Sequence, residues 1–141
     1  MMSSNVPDVP AEILRRFRRV AVVGISDRPE RPSHRVATYL QAAGYIIIPV
    51  NPRLEEVLGL RCYHRLGDAP RPIEVVDVFR RSELVEPIVD EAIAIGARAI
   101  WMQQGIVNEA AARTARAAGL LVVMDRCMLR EHVAMQRDRG P

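Results

Sequence analysis

The stretch Val20-Ala-Val-Val-Gly-Ile-Ser26 decides the fold of this chain. Such an apolar run predicts a parallel strand that is covered on both faces, and the glycine near its end lets backbone N–H groups approach a phosphate at the next helix N-terminus. The following segment, Asp27 to Pro32, is rich in arginine and proline and replaces the usual Gly-x-Gly-x-x-Gly fingerprint. The sequence therefore predicts a nucleotide-binding α/β domain whose ligand differs from that of ordinary NAD enzymes.

The composition of the 141 residues fits one globular domain. Hydrophobic residues make up 49% of the chain, yet no apolar run is long enough to span a bilayer. The N-terminus lacks the charged start and apolar core of a secretory signal, so we expect a cytoplasmic location. Cys62 and Cys127 are too few for a disulfide framework and are expected to stay reduced.

Strands and helices alternate along the chain, which predicts a parallel sheet with right-handed crossovers. Because proline cannot donate a ladder hydrogen bond, we expect Pro49 near the end of its strand or that strand towards an edge of the sheet. The predicted strands span 20–25, 45–50, 61–63, 75–79, 99–102 and 120–124. The predicted helices span about 10–19, the stretch from a cap at Ser33 to a stop at Gly44, a short piece at 54–58, and 84–95 and 108–118.

Arginine is concentrated where a ligand should bind. In an open α/β sheet, ligands bind beyond the carboxyl ends of the strands, near the point where strand order reverses. All 20 basic residues of the chain are arginine, although the formal net charge is only +3. Arginine holds phosphates through two parallel hydrogen bonds, and five arginines fall in the loops at this edge. They are Arg28, Arg31, Arg53, Arg80 and Arg81.

The end of the second strand narrows the choice of ligand. NAD-binding domains place an acidic side chain there to hold the adenosine ribose. This chain has the segment Val50-Asn-Pro-Arg53 instead, with a neutral amide and a cation. NADP or a 3′-phosphorylated adenosine such as coenzyme A (CoA) fits that chemistry better than NAD.

Six short motifs together resemble the small stand-alone bacterial CoA-binding domain proteins, which are similar in turn to the CoA-binding N-terminal domain of the succinyl-CoA synthetase α subunit. The resemblance covers Ile13 to Met135. It implies an α/β, Rossmann-like three-layer fold with a five- or six-stranded mainly parallel sheet. We expect a single domain over 1–141, with a frayed tail at about 137–141. The motifs are Val22-Val-Gly-Ile-Ser26, Ser33, Pro49-Val-Asn-Pro52, Val76-Asp-Val-Phe-Arg80, Trp101-Met-Gln-Gln-Gly105 and Met124-Asp-Arg-Cys127.

The function that the resemblance implies is non-catalytic binding of CoA or an acyl-CoA through its adenosine and phosphate groups. We assign no metal and no catalytic residue, and we expect no nucleic-acid or membrane partner, while a protein partner or a homo-oligomer stays open. The predicted binding residues are Gly24, Ile25, Ser26, Arg28, Ser33, His34, Val50, Asn51, Pro52, Arg53, Phe79, Arg80, Arg81, Gln104 and Gly105.

Two other functions remain as alternatives. An NADP-dependent oxidoreductase-type domain fits the arginines but lacks the glycine fingerprint and an obvious proton donor. An acyltransferase would use Cys127, behind Asp125, on a CoA thioester. No segment corresponds to the second synthetase domain, which carries a phosphorylated histidine, so ligase activity of this chain alone is not predicted. We expect structural roles for His132 and for Asp77, the latter hydrogen-bonded to a loop backbone, and a core position for Trp101.

Overall fold

The computed structural model describes residues 8–138 and folds them into three layers, with a parallel sheet between two groups of helices. The strands are β1 (Arg19–Val23), β2 (Ile46–Val50), β3 (Glu56–Val57), β4 (Leu60–Arg61), β5 (Val75–Val78), β6 (Ala99–Met102) and β7 (Leu121–Val123). The helices are α1 (Val9–Arg16), α2 (Pro32–Ala42), α3 (Val85–Ala94), α4 (Glu109–Ala117) and α5 (Met128–Asp138). The five-stranded sheet has the order β2-β1-β5-β6-β7 and is parallel throughout, which confirms the predicted fold class.

Both faces of the sheet are buried, which is why its strands read as apolar runs. Helices α1, α2 and α5 cover one face, where Val20 and Val22 of β1 pack in the same core as Ile13. Helices α3 and α4 cover the other face, around Ala21. Trp101 is fully buried in the first core, as predicted. Strand β2, with its proline, lies at one edge of the sheet, which confirms that expectation.

The helix boundaries differ from the prediction at three places. Helix α1 ends at Arg16, before the predicted 19, because the backbone of Phe17 is extended and Arg19 begins β1. Helix α2 begins at Pro32, whose ring presets the first helical turn, so Ser33 is not its cap. Helix α5 reaches Asp138, two residues into the predicted tail, and the rest of that tail lies outside the described residues. No helix between residues 8 and 138 is long and apolar enough to cross a membrane.

The predicted short helix at 54–58 is wrong. Strands β3 and β4 form a two-stranded antiparallel hairpin there, and the turn between them consists of Leu58 and Gly59 at φ 59° and 71°. Positive φ at both central residues is the geometry of a tight hairpin turn, but leucine is not a residue that signals it. The predicted strand at 61–63 is shorter, ends at Arg61, and is followed by a single bridge between Val50 and Tyr63.

Gly24 directly follows β1, where the backbone lies close to the residues that follow β5. Its φ is +91°, and a Cβ atom there would lie 2.8 Å from the carbonyl oxygen of Phe79 and 2.9 Å from Cδ of Arg80. No real Cβ tolerates such distances. Glycine is therefore required here both for its backbone conformation and for its lack of a side chain.

We expect Gly24→Ala to destabilise the fold more than Gly119→Ala. Both glycines have φ +91°, but nothing lies within 4 Å of a Cβ at Gly119. The strained backbone should cost about 1–3 kcal/mol in either variant, and overpacking should add about 1–3 kcal/mol at Gly24 only. Urea unfolding measures the difference. Equal losses of stability would show that the backbone around Phe79 yields and that the contact is unimportant.

Candidate functional site

The strand order reverses between β1 and β5. From β1 the chain crosses to β2 on one side, whereas β5, β6 and β7 follow on the other, so the loops after β1 and β5 diverge at a crevice. The amide of Gly24 donates to the carbonyl of Val50 at 2.9 Å, and that of Phe79 donates to the carbonyl of Val23 at 2.9 Å. These bonds fix the ends of three neighbouring strands, β2, β1 and β5, in one row.

An open trough runs along this carboxyl edge on both sides of the crevice. We name its larger part, of about 480 Å³, the α5 cleft, and its smaller part, of about 260 Å³, the β2 cleft. A shallow hollow joins them, because it shares Phe79 with the α5 cleft and Arg80 with the β2 cleft. The α5 cleft is lined by Pro32, Arg35, Val36, Phe79, Gln103, Gln104, Ile106, Cys127, Leu129 and Arg130. The β2 cleft is lined by Val23, Gly24, Val50, Pro52, His64, Arg65, Leu66, Arg80, Leu84, Ile88 and Glu91.

Two serines hold the loop between β1 and α2. The Ser33 hydroxyl oxygen accepts a hydrogen bond from the Ser26 amide at 2.9 Å, and the Ser26 hydroxyl oxygen accepts one from the Arg28 amide at 3.0 Å. Ser33 therefore ties the loop together instead of capping the helix. Within the described part of the chain, no side chain caps the start of α2, where Arg31 occupies the cap position. The first amides of that helix face the carboxyl edge.

Asn51 has a role that its sequence position does not reveal. Its Nδ2 donates to the carbonyl of Ile25 at 2.8 Å, and its Oδ1 accepts from the amide of Arg53 at 2.7 Å. The carboxamide thus joins the loop after β2 to the loop after β1. An acid is absent at this place, as the sequence shows, but the amide is engaged within the protein.

The arginines around the trough outnumber those that lie next to a carboxylate. Arg65, Arg81 and Arg126 lie within 4 Å of the carboxylates of Glu91, Glu83 and Glu131, at 3.8, 3.7 and 3.4 Å. The other arginines of this edge have no carboxylate within 4 Å among residues 8–138, which leaves them free to bind an anion. These are Arg28, Arg31, Arg35, Arg53, Arg80 and Arg130.

Eight of the fifteen predicted site residues line the trough. The two clefts collect six of them, and the hollow adds Arg81 and Gly105. The six are Gly24, Val50, Pro52, Phe79, Arg80 and Gln104. Ile25 is fully buried, so only its backbone is available to a ligand. Ser26, Arg28, Ser33, His34, Asn51 and Arg53 lie in the adjoining loops and line none of the three cavities.

Sequence reasoning missed the segment His64 to Leu66 and the residues Arg35, Gln103 and Arg130. The segment His64 to Leu66 follows the β3–β4 hairpin, where the sequence predicts a helix, so the sequence does not predict its return to the end of β2. The backbone N–H of Asn51, just after β2, donates to the carbonyl oxygen of Tyr63 at 2.9 Å, and this bond holds the segment beside the end of β2. Gln103 directly precedes the predicted site residues Gln104 and Gly105, but nothing in the sequence distinguishes it as a further site residue.

Asp77 is the most unusual group near the trough. It is fully buried in β5, and its Oδ1 accepts a hydrogen bond from Gln103 Nε2 at 2.5 Å. The predicted hydrogen bond from a loop backbone is wrong, because the partner of the carboxyl is the side chain of Gln103, which directly follows β6. Burial raises the pKa of Asp77 to about 7, against a smaller lowering by the Gln103 hydrogen bond.

The remaining polar groups have structural partners. His132 is buried and its Nδ1 lies 2.7 Å from the Tyr39 hydroxyl, and burial, with a smaller contribution from Arg18, lowers its pKa. Trp101 donates its ring N–H to the carbonyl of Arg126 at 2.8 Å. Cys62 and Cys127 are both free thiols, and only Cys127 reaches the trough.

The sheet order and the cationic trough at its reversal point define a Rossmann-like domain with an open binding cleft. The profile of the CoA-binding domain family matches residues 18–133, and the chain belongs to that family. It is 46% identical over 121 residues to YneT of Bacillus subtilis (strain 168), an uncharacterized protein, covering 86% of this chain and 90% of YneT. The structure of a hypothetical protein from Pyrococcus horikoshii OT3 superposes with a TM-score of 0.88 at 41% identity, covering 96% of this chain and 99% of that one.

A more distant relative is a much longer enzyme. The ADP-forming acetate–CoA ligase II of Archaeoglobus fulgidus is 26% identical over 95 residues, which span 65% of this chain and 14% of the ligase. The chain thus corresponds to a small part of that enzyme. The relationship confirms the resemblance to CoA-binding domains of the synthetase type.

We expect Asp77→Asn to flatten the pH dependence of stability. The folded pKa of about 7 lies above the ordinary value of 3.8, so the folded state keeps a proton that the unfolded chain releases. This stabilisation is complete below pH 3.8 and is lost as the pH rises through 7, by on the order of 4 kcal/mol in total.

Urea unfolding between pH 5 and pH 8 tests this expectation, with the exposed Asp90→Asn on α3 as the matched control. The control should lose stability with pH as the wild type does. If Asp77→Asn loses as much stability as the control over the same range, the carboxyl is ionised in the folded protein throughout.

Proposed function

We propose that the protein binds CoA or an acyl-CoA through the adenosine and phosphate groups of the ligand and performs no chemistry on it. The observation that carries the proposal is the position of Arg80. Its stem crosses Gly24 at the reversal point, and its side chain lines both the β2 cleft and the hollow that leads to the α5 cleft. In a ligand that occupies both clefts, the central part lies beside this guanidinium, and the central part of CoA is a diphosphate.

The loop after β1 supplies further groups for the diphosphate. Its serine hydrogen bonds hold its shape, and the uncapped start of α2 offers the backbone N–H of Ser33 and the positive end of the helix dipole. Arg28 and Arg31 are exposed on the same loop. This longer, arginine-rich loop takes the place of the glycine-rich turn of dinucleotide-binding domains.

The β2 cleft suits the adenosine half of the ligand. Its wall is apolar, with Val50, Leu66 and Ile88, and an adenine ring would bury apolar surface against it. Its rim carries the basic side chains of His64 and Arg65. Both of these lie close to carboxylates, His64 at 2.7 Å from Glu55 and Arg65 at 3.8 Å from Glu91. Arg53, at the end of β2, has no carboxylate within 4 Å among residues 8–138, so a 3′-phosphate on the ribose would be drawn to Arg53 first.

The α5 cleft suits the uncharged arm of the ligand. Val36, Phe79, Ile106 and Leu129 give it apolar walls, and its volume of about 480 Å³ lies in the usual range for small-molecule sites. Cys127 also lines this cleft. The arm, with its free thiol or its acyl group, therefore has an apolar channel in which to lie.

The alternatives have less support. An acyltransferase that uses Cys127 needs a base to activate the thiol, and among residues 8–138 no histidine or carboxylate is hydrogen-bonded to its Sγ. The family match favours CoA over NADP. Ligase chemistry is not carried over, because the chain spans only 14% of the ligase.

We place the CoA-binding protein in the cytoplasm, where it acts alone, as a homo-oligomer or with a protein partner.

We expect Arg80→Ala to weaken CoA binding by about 1.5–3 kcal/mol, on the order of 10- to 150-fold, because a charge-assisted hydrogen bond to the diphosphate is lost. Calorimetric titration with CoA measures the change. Arg116→Ala is the matched control, since Arg116 is equally basic but lies exposed in the last turn of α4, at the opposite edge of the sheet. The control should bind as the wild type does.

The same titration with related ligands separates the alternatives. CoA should bind more tightly than dephospho-CoA, which lacks the 3′-phosphate, and NAD should bind much more weakly than either. Tighter binding of NADP than of CoA would favour the oxidoreductase alternative. Equal affinity of wild type and Arg80→Ala for CoA would refute the position given to the diphosphate.

A further inference from the structure

A buried carboxyl group lies beneath the α5 cleft without a charge partner. Asp77 occupies the centre of the sheet, with Val22 and Trp101 in register on the neighbouring strands. Its Oδ2 is buried and has no hydrogen-bond partner among the described residues. An apolar side chain would fill this place at lower cost to the fold, so the carboxyl needs a reason other than packing.

Gln103 connects this carboxyl to the cleft. Its Oε1 accepts a hydrogen bond from the amide of Met128 at 3.3 Å, and its Nε2 donates to Asp77. Because the Met128 amide needs an acceptor, the carboxamide is held in this orientation. Gln103 is itself part of the cleft wall. One side chain therefore separates Asp77 from whatever occupies the cleft.

No ionised group within the described residues compensates a charge on Asp77. The side chains that α1, α2 and α5 bury against this face of the sheet are uncharged, except that His132 is titratable, and burial lowers its pKa. The charged groups nearest the cleft, Arg35 and Arg130, are exposed at its rim. In the protein without ligand, burial raises the pKa of Asp77 and the Gln103 hydrogen bond lowers it by less.

We propose that Asp77 couples ligand binding to proton binding, so that the trough takes up its anionic ligand together with a proton on this carboxyl. The inference rests on the proposed function, because it needs a ligand with phosphate groups in the trough. Asp77 does not touch the ligand, because Gln103 lies between them, and it acts through the charge of its carboxylate.

The sign of the coupling follows from like charges. The phosphates of the ligand would pass Arg80 beside the α5 cleft, and their negative charge disfavours a carboxylate beneath that cleft. Binding therefore raises the pKa of Asp77, and by linkage protonation of Asp77 tightens binding. The pKa of about 7 in the free protein places this effect near neutral pH. Affinity for CoA should fall on the order of tenfold as the pH rises through that range.

Calorimetry with CoA tests the proposal. Titrations at pH 7.5 in two buffers of different ionisation enthalpy count the protons bound, and titrations from pH 6.5 to pH 8.5 give the affinities. We expect the wild type to take up a fraction of a proton that Asp77→Asn does not, and the affinity of the variant to fall less with pH. The 3′-phosphate of CoA titrates near pH 6 in both experiments, so the difference between the proteins belongs to Asp77.

Equal proton uptake and equal pH dependence in the two proteins would overturn the inference and leave CoA binding intact. Absence of CoA binding at every pH would overturn the proposed function and the inference with it. Asp90→Asn, an exposed change on α3, should bind protons and CoA as the wild type does.

A second measurement needs no variant, in case Asp77→Asn does not fold. The carbon-13 resonance of the Asp77 carboxyl in the wild-type protein reports its titration directly. Saturating CoA should move the midpoint of that titration upwards, and an unchanged midpoint would contradict the coupling.

Discussion

The close approach of Gly24 to the end of β5 is the constraint on which the site depends. A Cβ at this residue would lie 2.8 Å from the carbonyl oxygen of Phe79, so β1 and β5 can end side by side only because the side chain is missing. The stem of Arg80 then passes over the glycine and reaches the cavities on both sides of the reversal point.

The electrostatics of the trough form two layers. The rim holds solvated arginines, several of which, such as Arg28 and Arg53, have no carboxylate within 4 Å in the described part of the chain. Beneath the rim lie two buried polar side chains, Gln103 and Asp77. An anion in the trough is attracted by the first layer and repelled by a charge in the second. Because Asp77 has a pKa of about 7, its charge changes near neutral pH, and with it the repulsion of a bound anion. Binding is thereby linked to pH without any movement of the backbone.

Much of the fold and part of the site follow from the sequence. Both faces of a parallel strand are buried, so β1, β5 and β6 appear as apolar runs, and the rule for open sheets then selects the loops that form the trough. The hairpin was missed because Leu58 adopts a positive φ that favours glycine or asparagine. Ser33 looked like a helix cap because the competing bond, to Ser26, depends on how the loop closes. His64 and Gln103 reach the trough only through tertiary contacts, which no local pattern records.

The most direct test of the account is an amide NMR titration of the protein with CoA, read at the glycines. Gly24 and Gly105 follow β1 and β6 at the carboxyl edge, whereas Gly44, Gly96 and Gly119 precede β2, β6 and β7 at the amino edge. Binding in the trough predicts saturable shifts for the first two amides and none for the other three. Shifts confined to the amino-edge glycines, or equal shifts at both edges, would contradict the placement of the ligand at the reversal point of the sheet.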